Sequence, residues 1–228
     1  MPVTDIAEIY NKFLNAISSK REFIAPLQLT GKLEDYLVHE LISYTYKMTG
    51  GEILGLTNFG KSGKKNHEDE REQKFDISFV KKINHEQEEI VAVMEAKYLR
   101  NIHRYNEKWN AKDEITITLN NFSDQLKGSI NKTHGDLPVN LSASDSKVYG
   151  LMFASFVKEI HGNDSGTESD KDEFYDPILD KAKKRKFVCY NGGDLKFDDV
   201  YDNEEVQTIG RKFSVTLKAG LWRSDEKI

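Results

Sequence analysis

Residues 74–80 read KFDISFV and residues 88–98 read EEIVAVMEAKY, and these two stretches decide the fold. Both are rich in Val, Ile, Phe and Met, and both are short enough to be strands. The segment between them is polar and has the length of a hairpin connection. We therefore predict two neighbouring strands in a mixed α/β protein.

Three charged side chains lie within these strands: Asp76, Glu95 and Lys97. Side chains alternate between the two faces of a strand, so Glu95 and Lys97 point the same way. Asp76 can meet them from the neighbouring strand. Burying two carboxylates and a lysine costs free energy unless the charges are paired or bind a metal. The residues thus predict either a site for a divalent cation or a structural salt bridge.

A second E-x-K triplet, Glu72-Gln73-Lys74, tests this assignment. It lies in the polar stretch NHEDEREQK, where burial would not orient its side chains. The Glu95 triplet instead ends a hydrophobic run, which must be buried. We therefore assign the site to Glu95 and Lys97.

Residues 55–62, GLTNFGKS, satisfy the phosphate-binding pattern G-x-x-x-x-G-K-[ST]. In that motif the lysine opens a helix that packs against a sheet. No apolar side chain occurs from Lys61 to Lys74, so such a helix would have no face to bury. We predict an exposed loop or disordered connection there, with nucleotide binding as the weaker alternative.

Asp76, eighteen intervening residues and Glu95-Ala96-Lys97 resemble the PD-(D/E)XK nuclease superfamily, with Phe75 in place of the proline. The resemblance implies a restriction-endonuclease-like core of helix, three antiparallel strands, helix and strand. The segments that fit this order are a helix at 33–49, strands at 52–59, 74–80 and 89–98, a helix at 112–130 and a strand at 148–157. It covers about residues 30–160 of a single domain, 1–228, with a C-terminal α/β extension over about 174–228.

The resemblance also implies a site that uses Mg²⁺, with Mn²⁺ able to replace it. Asp76, Glu95 and the backbone carbonyl of Ala96 would hold the metal, and Lys97 would orient or help activate a water. Glu34 follows Gly31 by three residues, as in many members, and is the candidate third carboxylate. Residue Glu40 is the fallback. From the residues alone, Glu34 can equally be a solvated glutamate that favours the helix dipole.

The implied activity is hydrolysis of phosphodiester bonds in DNA by an endonuclease, in restriction or another defence against foreign DNA. The two strands of a duplex are antiparallel, so a homodimer or larger assembly is expected. One alternative is a repair or recombination nuclease. Another is a subunit that binds nucleic acid or a protein without cutting. Gln125, on the second helix, is either a functional polar residue or merely exposed.

The net charge of −5 is low for a DNA-binding protein, but basic residues are clustered. Such clusters can follow phosphates, although the last one can also be the solvated end of a helix. The clusters are residues 61–65, 81–82, 100–104 and 181–186. No apolar run reaches about eighteen residues, no secretory segment is evident, and Cys189 is the single cysteine. We expect a cytoplasmic protein with no membrane span.

The remaining segments are predicted from pattern alone. Residues 5–16 form a helix whose apolar stripe packs on the core or helps a dimer to form. Residues 161–173 are a linker or surface loop by composition. Residues 174–190 form a helix that runs into a strand, residues 191–194 a turn, and residues 210–223 one long strand or a strand pair.

Overall fold

The computed structural model describes residues 5–30, 32–65, 72–84, 87–101, 141–142, 147–161 and 168–224. The helices are α1 (Ile6–Ser18), α2 (Arg21–Gln28), α3 (Leu33–Met48) and α4 (Glu168–Lys184). The strands are β1 (Ile53–Lys65), β2 (Glu72–Lys82), β3 (Glu88–Arg100), β4 (Leu141–Ser142), β5 (Lys147–Glu159), β6 (Phe187–Cys189), β7 (Asp198–Thr208) and β8 (Arg211–Ser224). The predicted helix at 112–130, with Gln125, lies outside the described residues.

These elements form a mixed α/β structure around one sheet, in the order β1-β2-β3-β5-β8-β6. β1, β2 and β3 are antiparallel neighbours, and β5 is parallel to β3. β4 pairs with β3, and β7 pairs with β8. The four strands predicted between residues 52 and 157 are therefore confirmed, and each extends beyond its predicted bounds at one or both ends. β8 is antiparallel to β5, so the C-terminal segment continues the same sheet.

Helices α1, α2 and α3 cover one face of the sheet. The apolar stripe of α1 is buried in a cluster with Leu37 and Leu41 of α3 and with Leu151 and Phe153 of β5. Packing of the stripe on the core is therefore confirmed. Gly50 ends α3 with a φ of 62°, a left-handed conformation that favours glycine.

Helix α4 covers the opposite face. Phe174 and Ile178 of α4 pack with Met152 and Ala154 of β5, which alternate with the residues that face α1 and α3. Trp222 of β8 is fully buried in the same cluster. The predicted helix-to-strand order at 174–190 and the turn that follows are confirmed.

The prediction of a loop over residues 161–173 is wrong at its C-terminal end. Helix α4 begins at Glu168, and Lys171 is buried within its first turns. Lys171 Nζ lies 2.6 Å from Asp202 Oδ1 of β7. The sequence looked like a loop because the lysine is buried through a distant ion pair and not through an apolar stripe.

Three elements were missed by the sequence analysis: helix α2, the two-residue strand β4 and strand β7. Helix α2 has only eight residues and contains Pro26, so its periodic signal is short. Strand β7 has the polar sequence DDVYDNEEVQT and lies beside β8. Its strand conformation is stabilised by backbone pairing to β8. A local hydrophobic pattern cannot predict this pairing.

The predicted loop from Lys61 to Lys74 is also partly wrong, since β1 continues to Lys65 and β2 starts at Glu72. The phosphate-binding pattern therefore lies entirely in a strand, and no helix opens at Lys61. This contradicts the nucleotide-binding alternative. Gly55 instead lies under α3, where a Cβ would be 2.8 Å from Ile42 Cγ1.

Among the described residues, the structure contains no helix that is long and apolar enough to cross a membrane.

Candidate active site

The candidate site lies where β2 and β3 separate. Pairing between these strands ends at Ile77 and Met94, whereas β3 continues beside β5 as far as Arg100. Beyond Met94, the Ala96 N–H is 2.8 Å from Asp76 Oδ2 and donates to it. A side-chain carboxylate thus replaces the next backbone partner at the point where the two strands diverge.

Glu95 and Lys97 project from the same face of β3. Met94 and Ala96 pack toward α1 and α3, so by alternation Glu95 and Lys97 point to the opposite face. Lys97 Nζ lies 2.6 Å from Glu95 Oε1 and 3.7 Å from Asp76 Oδ2. The lysine therefore bridges the two carboxylates, as the spacing of the sequence predicted.

The three side chains differ in depth, and Glu95 is the deepest. Its side chain is 3% exposed, against 24% for Lys97 and 34% for Asp76. Glu95 Oε2 is buried and has no hydrogen-bond partner within the described part of the chain. Burying a carboxylate oxygen without a partner costs free energy. This atom is therefore suited to coordinate a cation or to bind a proton.

Burial raises the pKa of Glu95 to about 7, against an opposing effect of Lys97 and with a further increase from Asp76. The pKa of Lys97 is lowered by burial but raised more strongly by Glu95, Asp76 and Glu34, so that it ends above its usual value. Lys97 is therefore an ammonium ion near neutral pH. Glu95 changes charge in the same pH range, which is a common property of functional carboxylates.

Glu34 joins this group from the first turn of α3. Burial raises the pKa of Glu34 above its usual value, and Asp76 adds to this shift. Lys97 and the backbone N–H of Tyr98 oppose it. Glu34 is partly buried and is therefore not a fully solvated glutamate. Alternate residues of a strand direct their N–H groups to the same side, so the N–H groups of Ala96 and Tyr98 both face the side that β2 leaves.

The fallback residue, Glu40, lies elsewhere on α3. Glu40 Oε2 is 2.6 Å from Lys20 Nζ, and this bond to Lys20 lowers the pKa of Glu40. The pattern of apolar residues on α3 could not choose between Glu34 and Glu40, because the choice depends on how the helix lies on the sheet.

The oxygen atoms at the site fit a hard cation. Within the residues that the structure describes, no three His, Cys, Asp or Glu side chains form a group that could hold a metal by themselves. Asp76, Glu95 and the Ala96 carbonyl supply carboxylate and carbonyl oxygens, which suit Mg²⁺. Mg²⁺ also keeps several waters, so a small set of protein ligands is chemically sufficient. The unpartnered Glu95 Oε2 is the structural observation that supports this fit.

The sequence analysis missed the contribution of Tyr98. Its backbone N–H lowers the pKa of Glu34, an effect that no side-chain motif could have revealed. Of the predicted basic clusters, Lys82 and residues 183–186 are exposed in the structure. Most of the cluster at 100–104 lies outside the described residues.

The chain matches no family model, no curated protein and no solved structure.

Proposed function

We propose that this protein is a Mg²⁺-dependent DNA endonuclease with a restriction-endonuclease-like core. One observation carries the proposal: Asp76, Glu95 and Lys97 meet where β2 and β3 separate, and Glu34 reaches the same group from α3. Two carboxylates, a lysine and a nearby third carboxylate form the constellation that the sequence motif implies.

The order of the elements supports the same proposal. Helix α3 is followed by three antiparallel strands, β1 to β3, and β5 then joins parallel to β3. A parallel neighbour requires a crossover connection, which here includes residues 102–140. The helix of the proposed core that was expected at 112–130 would belong to this connection.

Asp76, Glu95 and the Ala96 carbonyl would hold the metal, with Glu34 acting on the same group of charges. A bound Mg²⁺ ion would supply charge stabilisation at the phosphate and a more acidic water. Lys97 carries its proton on Nζ near neutral pH and can donate a hydrogen bond to the attacking water or to a phosphate oxygen. Asp76 accepts the Ala96 N–H, which holds its carboxylate against β3.

The biological setting and the assembly rest on the sequence resemblance. We propose a role in restriction or defence against foreign DNA, with repair or recombination as the enzymatic alternative. A two-fold dimer would place one site on each strand of a duplex.

A non-cleaving subunit is the second candidate, and a specific observation favours it. Lys97 forms a 2.6 Å ion pair with Glu95, and no group of three metal-binding side chains is found in the described residues. In this alternative, Asp76, Glu95 and Lys97 would only stabilise the contact between β2 and β3. The protein would bind nucleic acid or another protein through its surface without cleaving it.

A nicking assay decides between the two candidates. Supercoiled plasmid and single-stranded DNA would each be incubated with the protein in Mg²⁺, with EDTA and Lys97→Ala as matched controls. The endonuclease proposal predicts Mg²⁺-dependent nicking that both controls abolish. Products with fixed ends would indicate sequence recognition, whereas a smear would indicate nonspecific degradation. Binding of DNA without cleavage under all conditions would favour the subunit.

A further inference from the structure

A buried amide, that of Gln28, joins the end of α2 to two strands of the sheet. Gln28 is 1% exposed and is the last residue of α2. Its Oε1 accepts a hydrogen bond from Ser155 Oγ of β5, and its Nε2 donates to the Tyr201 hydroxyl of β7. Its backbone carbonyl also accepts from Arg100 Nη1 of β3, at 3.5 Å. Three strands thus make contact with one residue.

The same part of the sheet carries the backbone group that faces Glu34. The Tyr98 hydroxyl is buried beside Ser155, without a well-formed hydrogen bond within the described residues. Burial raises the pKa of Tyr98 to about 12, and Ser155 opposes that shift. The Tyr98 N–H, at the other end of the residue, faces the carboxylate of Glu34.

Only four residues separate α2 from α3, and Glu34 is the second residue of α3. This connection contains local hydrogen bonds, since Thr30 Oγ1 donates to the Leu27 carbonyl at 2.7 Å and accepts from Lys32 N at 3.2 Å. Gln28 and Glu34 therefore contact adjoining parts of the sheet from the two ends of a short connection. We therefore expect a shift of Gln28 to displace the start of α3.

We propose that Gln28 is a positioning residue that sets the place of Glu34 at the candidate site. The role of Glu34 in metal binding rests on the proposed function, but the positional coupling of Gln28 to Glu34 does not. Gln28 touches neither Asp76 nor Glu95 in the contacts described, so it acts through the start of α3.

The test uses Gln28→Met, which keeps a similar volume and removes the amide. The main readout is hydrogen exchange of the Tyr98 amide, resolved by NMR and compared with the Leu151 amide of β5. We expect exchange at Tyr98 to accelerate about tenfold or more relative to Leu151, as it should in Glu34→Ala. The double variant should show no further acceleration, because both changes remove the same contact.

Thr216→Val is the matched control, because Thr216 is also buried in the sheet and its hydroxyl donates to Asp202 at 2.6 Å. It should lower global stability without a selective change at Tyr98. Ser155→Ala, which removes one partner of Gln28, replaces Gln28→Met if that variant does not fold. Unchanged relative exchange at Tyr98 in the folded variant would overturn the proposal.

The Mg²⁺ response distinguishes this proposal from the proposed function. If both are correct, Gln28→Met should weaken the rise in melting temperature caused by Mg²⁺, and Thr216→Val should preserve it. If the wild-type protein shows no Mg²⁺ response and no cleavage, but Tyr98 exchanges as expected, the metal-dependent function fails and the positioning role stands.

Discussion

At the scale of single residues, the central feature of the site is the buried carboxylate of Glu95, whose burial costs free energy. Glu95 is almost completely buried, and one of its oxygens has no partner among the described residues. Lys97 compensates for only one of the two oxygens. A cation that contacts the second oxygen would relieve this cost, whereas a purely structural ion pair would leave it in place.

Lys97→Ala should lower the rate of DNA cleavage by about 100-fold or more, because a donor that stabilises developing charge is lost. The protein should stay folded and still bind DNA. Cleavage of a plasmid and binding to a catalytically inert duplex would be measured side by side. The matched control is the double change Glu72→Ala with Lys74→Ala, which removes the other E-x-K triplet and should leave cleavage unchanged. Near-normal cutting by Lys97→Ala would contradict the assignment.

The stability of the metal-free protein should depend on pH through Glu95. Burial raises its pKa from 4.5 to about 7, so the folded state keeps a proton that the unfolded state releases. The stabilisation is complete below about pH 4.5 and is lost as the pH rises through about 7. Relative to Glu95→Gln, the wild-type free energy of unfolding should fall by roughly 1–3 kcal/mol between about pH 5 and about pH 8. Denaturant unfolding in EDTA measures this, and parallel curves for the two proteins would contradict it.

At the scale of elements, the site depends on the divergence of two strands. β3 continues beside β5 after its pairing with β2 has ended. Backbone N–H groups of β3 on the β2 side are then available to donate hydrogen bonds to carboxylates, as Ala96 N–H does to Asp76. Helix α3 must also lie close to β1 and to the site, because Glu34 comes from its first turn. Close packing between α3 and β1 is therefore a structural requirement of the site, and Gly55 makes it possible.

Gly55→Ala should destabilise the protein by about 1–3 kcal/mol, the usual range for overpacking. The added Cβ would lie 2.8 Å from Ile42 Cγ1 and 3.0 Å from Ile42 Cγ2, atoms next to the helix backbone that cannot easily move away. In a double-mutant cycle measured by chemical denaturation, Ile42→Ala should relieve part of this loss. Additive losses would show that the close contact is not responsible.

Lys61→Ala serves as the control for the phosphate-binding pattern in the same strand. No ATP-linked activity should exist for this change to abolish, because Lys61 lies within β1. ATP hydrolysis that disappears with Lys61→Ala would contradict the nuclease proposal.

At the scale of the whole molecule, one sheet connects the candidate site to the C-terminal segment. α1, α2 and α3 cover one face, α4 covers the other, and β8 extends the sheet beyond β5. A ligand that binds only the folded state therefore stabilises a single connected core. Its effect can be read from the unfolding of the whole protein.

Mg²⁺ should raise the melting temperature, and Asp76→Asn should reduce that rise, because Asp76 supplies one of the oxygen ligands. The measurement is thermal unfolding with and without Mg²⁺, repeated with a short duplex, since substrate phosphates normally complete a Mg²⁺ site. Ca²⁺ should support DNA binding but little cleavage. Full cleavage in EDTA would exclude the metal-dependent mechanism.

The sequence by itself determined the elements whose burial pattern is local. Strands β2, β3 and β5 are hydrophobic runs of strand length, and α3 combines a helical apolar pattern with a glycine pair at its end. The relation of Asp76 to Glu95 and Lys97 was predictable for the same reason. Alternation along a strand and a short hairpin between two strands are properties of neighbouring residues.

Only the tertiary structure decided which polar groups would find distant partners. It placed Glu34, and not Glu40, where Lys97 affects its pKa, and it buried Lys171 against Asp202. It also paired the polar strand β7 with β8 and placed Gln28 between β5 and β7. The physical reason is that each of these polar side chains interacts with a partner on another element. The periodicity of hydrophobic residues in the sequence does not predict such partners.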